Sequence, residues 1–382
     1  MPKERTAVGI TPEQVPLLGK LRVYFIHDSS ACGLYRAYLP CLSLRETGLA
    51  QALSHNDDLE ACSHNPFLPP QARLSRIYLE MQAERVRQSI QWADVVVFQR
   101  MGTDEGLRMA KLARSLGKAV VHESDDMCEA IEPDNPAYWF WKQESHLGAY
   151  RESFRMADLV TTTNERLAEF YQRSYGTKAI VLPNMLDYGA QRWMGVDYSK
   201  GPGVIVGWMG SESHIGDISI LRELVPWLLG EFPQTTFEFC GFVPEWAVGL
   251  DRVCGKRGDI RKVPTMTAKW DIGLAPINDV PFNVIGKSDI KAWEYALAGI
   301  VTLASDLPPY HGSLVHGSTG MLAKWNDVDD WKRKLRELIS RPFLRQRLVA
   351  NARDWVVKHR TSRGNVGLYF RAYAGLLLKT RH

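Results

Sequence analysis

Short apolar runs rich in β-branched residues alternate with helical patterns along almost the whole chain of 382 residues. In the first half, the runs 93–100 and 157–164 are typical of strands, and a predicted helix, 104–117, follows the earlier run. In the second half, strands are predicted at 204–210 and 269–277. Strands that alternate with helices through short loops predict parallel sheets with right-handed crossovers. We therefore expect an α/β protein with doubly wound, Rossmann-like sheets.

A glycine-rich segment without periodicity, 187–203, separates the two sets of strands and predicts a linker. We expect an N-terminal domain over 1–190 and a C-terminal domain over 203–360, with a last helix, 361–382, that packs back on the first domain. Because ligands bind at the carboxyl ends of such sheets, a cleft between the two domains is the predicted site.

Composition and charge exclude several classes of protein. The chain is 45% hydrophobic and 24% charged, which is typical of globular proteins and not of disordered ones. A formal net charge of +4 is too small to indicate a nucleic-acid-binding protein. No apolar run approaches the ~20 residues of a membrane span, and residues 1–16 lack the apolar core of a secretion signal. The six cysteines form no CxxC pair, so we expect reduced thiols, no metal site and a cytoplasmic protein.

Three segments of the second half carry a family resemblance: "VGWMGSESHIGDI" (206–218), "DIGLAPI" (271–277) and "PFNVIGKSDIKAWEYALAGIVTLAS" (281–305). In the first half, "SACGLYRAYLP" (30–40) looks like a glycine-containing loop after a first strand. In order and spacing, these segments resemble the group 1 glycosyltransferases. The resemblance implies the GT-B architecture, in which two Rossmann-like domains face each other across a cleft. It also implies a nucleoside-diphosphate sugar as co-substrate, retention of configuration, and no cofactor or metal.

The segment 287–299 is predicted to be a helix whose N-terminal amides point at a phosphate. Lys287 would add a full charge there, and Glu294 lies seven residues later on the same face. The resemblance implies that Glu294 accepts hydrogen bonds from the ribose hydroxyls. The alternative is a solvent-exposed helix with a Lys–Glu surface pair. The family's other glutamate, which contacts the donor sugar, would fall at Gly286. The candidates for part of its role are Lys287, Ser288 and Asp289.

The loop after the strand 204–210 is the second candidate for donor binding. Gly210 permits close backbone approach, Ser211 is a short hydrogen-bond donor, and His214 is a candidate ligand of the diphosphate or the sugar. The alternative is a loop leading into a helix, with Asp217 as the N-cap. The family often has an arginine and a lysine near this loop. We assign their role to Lys287 and Lys291, supported by Arg36.

In the first domain, Gly33 would let the backbone pass near a ligand, and Arg36 would bind phosphate across the cleft. The alternative for Arg36 is a surface arginine. Asp125 and Asp126 follow a predicted strand. We rank contact with the acceptor or sugar first for this pair, capping second and metal binding last. The predicted catalytic residues are therefore Asp125, Asp126, Lys287 and Arg36.

The expected reaction is transfer of a sugar to an acceptor hydroxyl, with the leaving diphosphate as base and cations that stabilise its charge. The acceptor is left open between a glycan or lipid-linked precursor and hydroxymethylated bases in DNA. Two further alternatives share the fold: a sugar-nucleotide epimerase and a non-catalytic nucleotide-binding scaffold.

Overall fold

The computed structural model describes residues 21–28, 31–55 and 76–379. The segment 1–16, on which the expectation about secretion rests, and Cys62 lie outside these residues. Across the described ranges, no helix is both long enough and apolar enough to cross a bilayer.

The elements of the first half are, in chain order, β1 (Arg22–Ile26), α1 (Ala31–Gly33), a π-helical turn (Leu34–Tyr38), α2 (Leu39–Glu46), β2 (Gln51–Ser54), α3 (Arg76–Trp92), β3 (Val95–Gln99), α4 (Asp104–Ser115), β4 (Ala119–Glu123), a 3-10 turn (Cys128–Ala130), α5 (Tyr138–Trp141), α6 (Glu144–Met156), β5 (Leu159–Thr162), α7 (Glu165–Tyr175) and β6 (Ala179–Val181).

Those of the second half are a 3-10 turn (Gln191–Trp193), β7 (Val204–Gly210), a 3-10 turn (Glu212–His214), α8 (Leu221–Glu231), β8 (Thr235–Gly241), a 3-10 turn (Glu245–Ala247), β9 (Val253–Lys256), a 3-10 turn (Ile260–Lys262), α9 (Val263–Thr267), β10 (Ile272–Ala275), a π-helical turn (Phe282–Gly286), α10 (Ile290–Leu297), β11 (Val301–Ser305), β12 (Met321–Ala323), α11 (Val328–Ser340), α12 (Pro342–His359) and α13 (Ser362–Lys379).

The chain divides into two compact units. The first comprises Met1–Asp125, Gln143–Met185 and Ser362–His382, and the second comprises Asp126–Lys142 and Leu186–Thr361. The sequence-based range 1–190 differs from this division, because residues 126–142 and 186–190 group with the second unit.

The first unit is built on a parallel sheet with the strand order β2-β1-β3-β4-β5-β6. The central strands β3 and β4 are buried along their whole length, as expected for a sheet covered by helices on each side. Helix α13 packs its aromatic side chains on this sheet, and the rings of Phe25 and Tyr373 lie 5.9 Å apart.

The second unit contains a parallel sheet with the order β12-β11-β10-β7-β8-β9, which is the strand order of the doubly wound nucleotide-binding fold. Its core joins β7, β8 and β10 to the apolar faces of α8 and α11. The two six-stranded parallel sheets confirm the predicted fold class.

Candidate functional site

In the second sheet, the strand order reverses between the neighbouring strands β7 and β10. The carboxyl end of β7 leads into the turn Glu212–His214, and that of β10 leads towards the π-helical turn Phe282–Gly286. Ligands of doubly wound sheets bind at this reversal, because the two chain connections leave in opposite directions and open a crevice there. The predicted donor-binding residues lie on these connections and on α10.

Asp217 joins the two connections. Its carboxylate accepts a hydrogen bond from His214 Nδ1 at 2.8 Å, and it accepts others from the Asn278 amide at 3.0 Å and from Asn283 Nδ2 at 2.7 Å. Burial opposes ionisation of Asp217, but the hydrogen bond from His214 and the other donors hold its pKa below the usual value. Asp217 is therefore not the N-cap considered from the sequence, since α8 begins only at Leu221.

His214 is a neutral hydrogen-bond acceptor at this site. Burial is the main cause that lowers its pKa to about 4, and the nearby charge of Lys291 adds to the effect. Because the ionised Asp217 accepts from Nδ1, we assign the ring proton to Nδ1. Nε2 then offers a lone pair, which suits a sugar hydroxyl better than a phosphate oxygen.

Lys291 presents a buried ammonium group. Its Nζ lies 5.2 Å from the centre of the Trp208 ring. Among the residues that the structure describes, none accepts a hydrogen bond from this nitrogen. Burial lowers its pKa to about 8, and the charge of Lys287 acts in the same direction. A buried charge without a hydrogen-bond partner is costly, so this site favours an anionic ligand.

Lys287 lies between the π-helical turn and α10. Its Nζ lies 3.2 Å from Asp126 Oδ1 and 4.4 Å from the centre of the Phe282 ring. The predicted helix over 287–299 is shorter in the structure, because α10 begins at Ile290. Lys287 itself is extended, and its backbone amide donates to the Asn283 carbonyl at 2.9 Å.

The remaining donor-site candidates lie on the same elements. Glu294 is buried in α10, one turn after Lys291, and Ser288 directly follows Lys287. Ser211 Oγ lies 2.7 Å from Ser213 Oγ in the turn after β7. Gly210 ends β7, and a Cβ there would lie 2.5 Å from the Trp208 ring, so the packing of Trp208 by itself accounts for this glycine.

Arg36 does not have the predicted role. It is fully buried, and its Nε and Nη2 donate to Glu123 at 2.7 and 2.9 Å. Its Nη1 donates to the Leu182 carbonyl at 2.6 Å and to Asn184 at 3.0 Å. These partners belong to the first unit, so Arg36 stabilises that unit, and its fully buried guanidinium is not accessible to a phosphate. Gly33 is likewise internal, because a Cβ there would lie 2.0 Å from the carbonyl oxygen of Asp28.

The adjacent carboxylates Asp125 and Asp126 interact with different cations. Asp125 Oδ1 lies 3.9 Å from Arg100 Nε within the first unit, whereas Asp126 pairs with Lys287 within the second. Arg100 has a φ of 46°, a left-handed conformation that is uncommon outside glycine, and its Nη2 donates to Asp28 at 2.5 Å. Contact of either aspartate with an acceptor stays a prediction.

Sequence reasoning missed three residues of this site. Trp208 forms the aromatic face below Lys291, Asn283 fixes Asp217, and Asp217 orients His214. All three lie inside the segments that carry the family resemblance. Only their partners, which come from distant parts of the chain, reveal what they do.

No family model matches the sequence, and no curated protein matches it. Solved structures match the fold. HepE from Anabaena, in complex with UDP and glucose, has a TM-score of 0.61 and 14% identity, over 94% of this chain and 100% of that one. Sucrose-phosphate synthase from Thermosynechococcus elongatus has a TM-score of 0.60 and 13% identity, with the same coverage. A glycosyltransferase from Rickettsia africae ESF-5 has a TM-score of 0.61 and 12% identity, over 94% and 99%. The chain therefore has the fold of the GT-B glycosyltransferases, with two Rossmann-like domains.

Proposed function

We propose that the protein is a glycosyltransferase that transfers a sugar from a nucleoside-diphosphate sugar to an acceptor hydroxyl. The observation that carries the proposal is the buried ammonium of Lys291, which has no hydrogen-bond acceptor among the described residues and lies beside Lys287 at the reversal of the second sheet. Two lysines at this position match the charge of a diphosphate. HepE, which shares the fold, was solved with UDP and glucose, and this supports a nucleotide donor.

The surrounding residues suggest a role for each part of the donor. Lys287 and Lys291 bind the diphosphate. The carboxylate of Glu294 accepts hydrogen bonds from both hydroxyl groups of the ribose. His214 accepts a hydrogen bond from a sugar hydroxyl through Nε2. Asp217 is a positioning residue, because its carboxylate fixes the ring of His214 and also accepts hydrogen bonds from Asn278 and Asn283.

The proposed reaction balances without a protein nucleophile. The bond between the anomeric carbon and the diphosphate oxygen breaks, and the acceptor oxygen forms its bond to the same carbon on the same face. The acceptor proton moves to the leaving diphosphate. Lys287 and Lys291 stabilise the charge that develops on the diphosphate, so we propose that no metal is required. None of the five described cysteines is in a disulfide bond, which supports a cytoplasmic location.

Calorimetric titration with nucleoside diphosphates, UDP first, tests the proposal. Lys291→Met removes the charge and keeps the length of the side chain. It should weaken binding at pH 7 by at least tenfold, since a hydrogen bond to a charged group contributes about 1.5–3 kcal/mol. The exposed Lys358 on α12 provides the control, and Lys358→Met should bind like the wild type. Failure of the wild type to bind any nucleoside diphosphate, or equal binding by Lys291→Met, would refute the proposed site.

A further inference from the structure

Residues 126–142, which we call the strap, carry four consecutive aromatic side chains in α5. Two of them face solvent: Trp139 is 75% exposed and Phe140 is 39% exposed. Trp141 is buried and anchors the short helix. Contiguous exposed apolar surface marks interaction sites and ligand-binding grooves.

The strap is attached to the loop that carries His214. Asn135 is buried, and its Nδ2 donates to the Ser213 carbonyl at 3.4 Å. Asp134 packs against Gly216 so closely that a Cβ on this glycine would lie 2.3 Å from Asp134 Oδ2. Trp139 follows Asn135 by four residues, which span at most about 14 Å of chain. The Trp139 backbone therefore lies at most about 14 Å from that of Asn135, which contacts the loop that carries His214.

The charge of the strap argues for a particular class of ligand. It carries one lysine, Lys142, and four carboxylates, Asp126, Glu129, Glu132 and Asp134, of which Asp126 pairs with Lys287. This excess of acid disfavours the phosphates of anionic lipids and of DNA. Carboxylates accept hydrogen bonds from hydroxyl groups, and the negative face of an aromatic ring attracts the weakly positive C–H groups of a sugar ring.

We propose that the exposed ring of Trp139 forms a platform that binds the acceptor, and that the acceptor is an uncharged saccharide. This inference rests on the proposed function and deepens it, because it names the acceptor class. The sugar ring stacks on Trp139, and carboxylates of the strap accept hydrogen bonds from its hydroxyl groups. The saccharide is held through its sugar rings, whatever aglycone it carries.

A glycan array that includes uncharged oligosaccharides tests the platform. The labelled wild type should bind some of these glycans, and Trp139→Ala should reduce that signal at least tenfold. Trp139→Phe keeps an aromatic face and should stay within about threefold of the wild type. Phe343, which is 83% exposed on α12, is the control, and Phe343→Ala should bind like the wild type.

Two parallel measurements separate the possible failures. The affinity for UDP should be unchanged in Trp139→Ala. If the wild type itself does not bind UDP, the donor site is refuted, and the glycan array still tests Trp139 as a saccharide-binding surface. The platform is refuted if the wild type binds no uncharged glycan, or if Trp139→Ala binds them equally well. Sedimentation with 3:1 phosphatidylcholine:phosphatidylglycerol vesicles that depends on Trp139 would also refute it, in favour of a membrane contact.

Discussion

At the residue scale, Arg36 shows how the fold decides the role of a side chain. Its local sequence, a glycine loop followed by an arginine, fits a phosphate site as well as a structural one. The side chain instead pairs with Glu123 in the core of the first unit. Burial raises the pKa of Glu123, and the charge of Arg36 acts against this rise. The sequence could not reveal this pair, because its members are 87 residues apart.

Arg36→Met should destabilise the protein without affecting the donor site. Removing one partner of a buried ion pair leaves an uncompensated charge, which costs about 3–5 kcal/mol. Urea unfolding should show this loss, and adding Glu123→Gln to the variant should restore part of it. UDP affinity, measured where the variant is folded, should equal that of the wild type. Unchanged stability together with at least tenfold weaker UDP binding would instead support the phosphate-binding role that the sequence predicted for Arg36.

Lys291 gives the donor site a predicted pH dependence. Its pKa is lowered to about 8, so the free protein loses this charge as the pH rises through that value. A diphosphate binds the protonated lysine better, and UDP affinity should therefore fall by about tenfold between pH 7 and pH 9. Titrations of Lys291→Met with UDP between pH 7 and pH 9 show how far other titrating groups change the affinity. An equally steep decline in that variant would assign the effect to a group other than Lys291.

At the element scale, the strap explains a departure from the family pattern. The resemblance places a glutamate at position 286, where this chain has glycine. In the structure, a Cβ at Gly286 would lie 2.8 Å from the Met127 amide nitrogen and 3.4 Å from its Cβ. The strap backbone thus occupies the space into which a side chain would extend, and Asp126 pairs with Lys287 beside it.

Gly286→Ala should loosen the strap. The methyl group has to displace the backbone at Met127, so we expect a loss of about 1–3 kcal/mol in unfolding free energy and faster proteolysis within 126–142. Gly230 is the matched control, because a Cβ there meets no atom within 4 Å. Gly230→Ala, near the end of α8, should be neutral or slightly stabilising. If Gly286→Ala behaves like Gly230→Ala, the strap does not depend on this contact.

Elements with strong patterns were predictable, and those held by distant contacts were not. The apolar runs of β3 and β10 stand out, because both strands are buried along their whole length. Strand β9 is short and partly exposed, so it has no such pattern. The helical pattern over 287–299 does not reveal that a π-helical turn precedes Lys287 or that Lys287 itself is extended. The reason is that side-chain periodicity carries no information about backbone hydrogen bonds.

At the scale of the whole molecule, repeated alternation made the fold class predictable. Each sheet has six parallel strands. An error in predicting one strand or helix therefore does not change the predicted fold class. The assignment of 126–142 to the second unit was beyond the sequence, because it depends on contacts with residues far along the chain. The segments predicted to bind the donor lie on the connections after β7 and β10 and on α10, but the contact of Lys291 with Trp208 was visible only in the structure.

The turnover of a nucleotide sugar by Lys287→Ala tests the central claim most directly. A cation at the leaving diphosphate acts more strongly in the transition state than on bound substrate. The wild type should release UDP from a UDP-sugar, and Lys287→Ala should lower kcat by about 10²–10³-fold with a smaller change in KM. Lys287→Arg should restore only part of the rate, because its planar group does not replace a point charge. No UDP release by the wild type from any UDP-sugar, or a kcat for Lys287→Ala within about twofold of the wild type, would contradict the account.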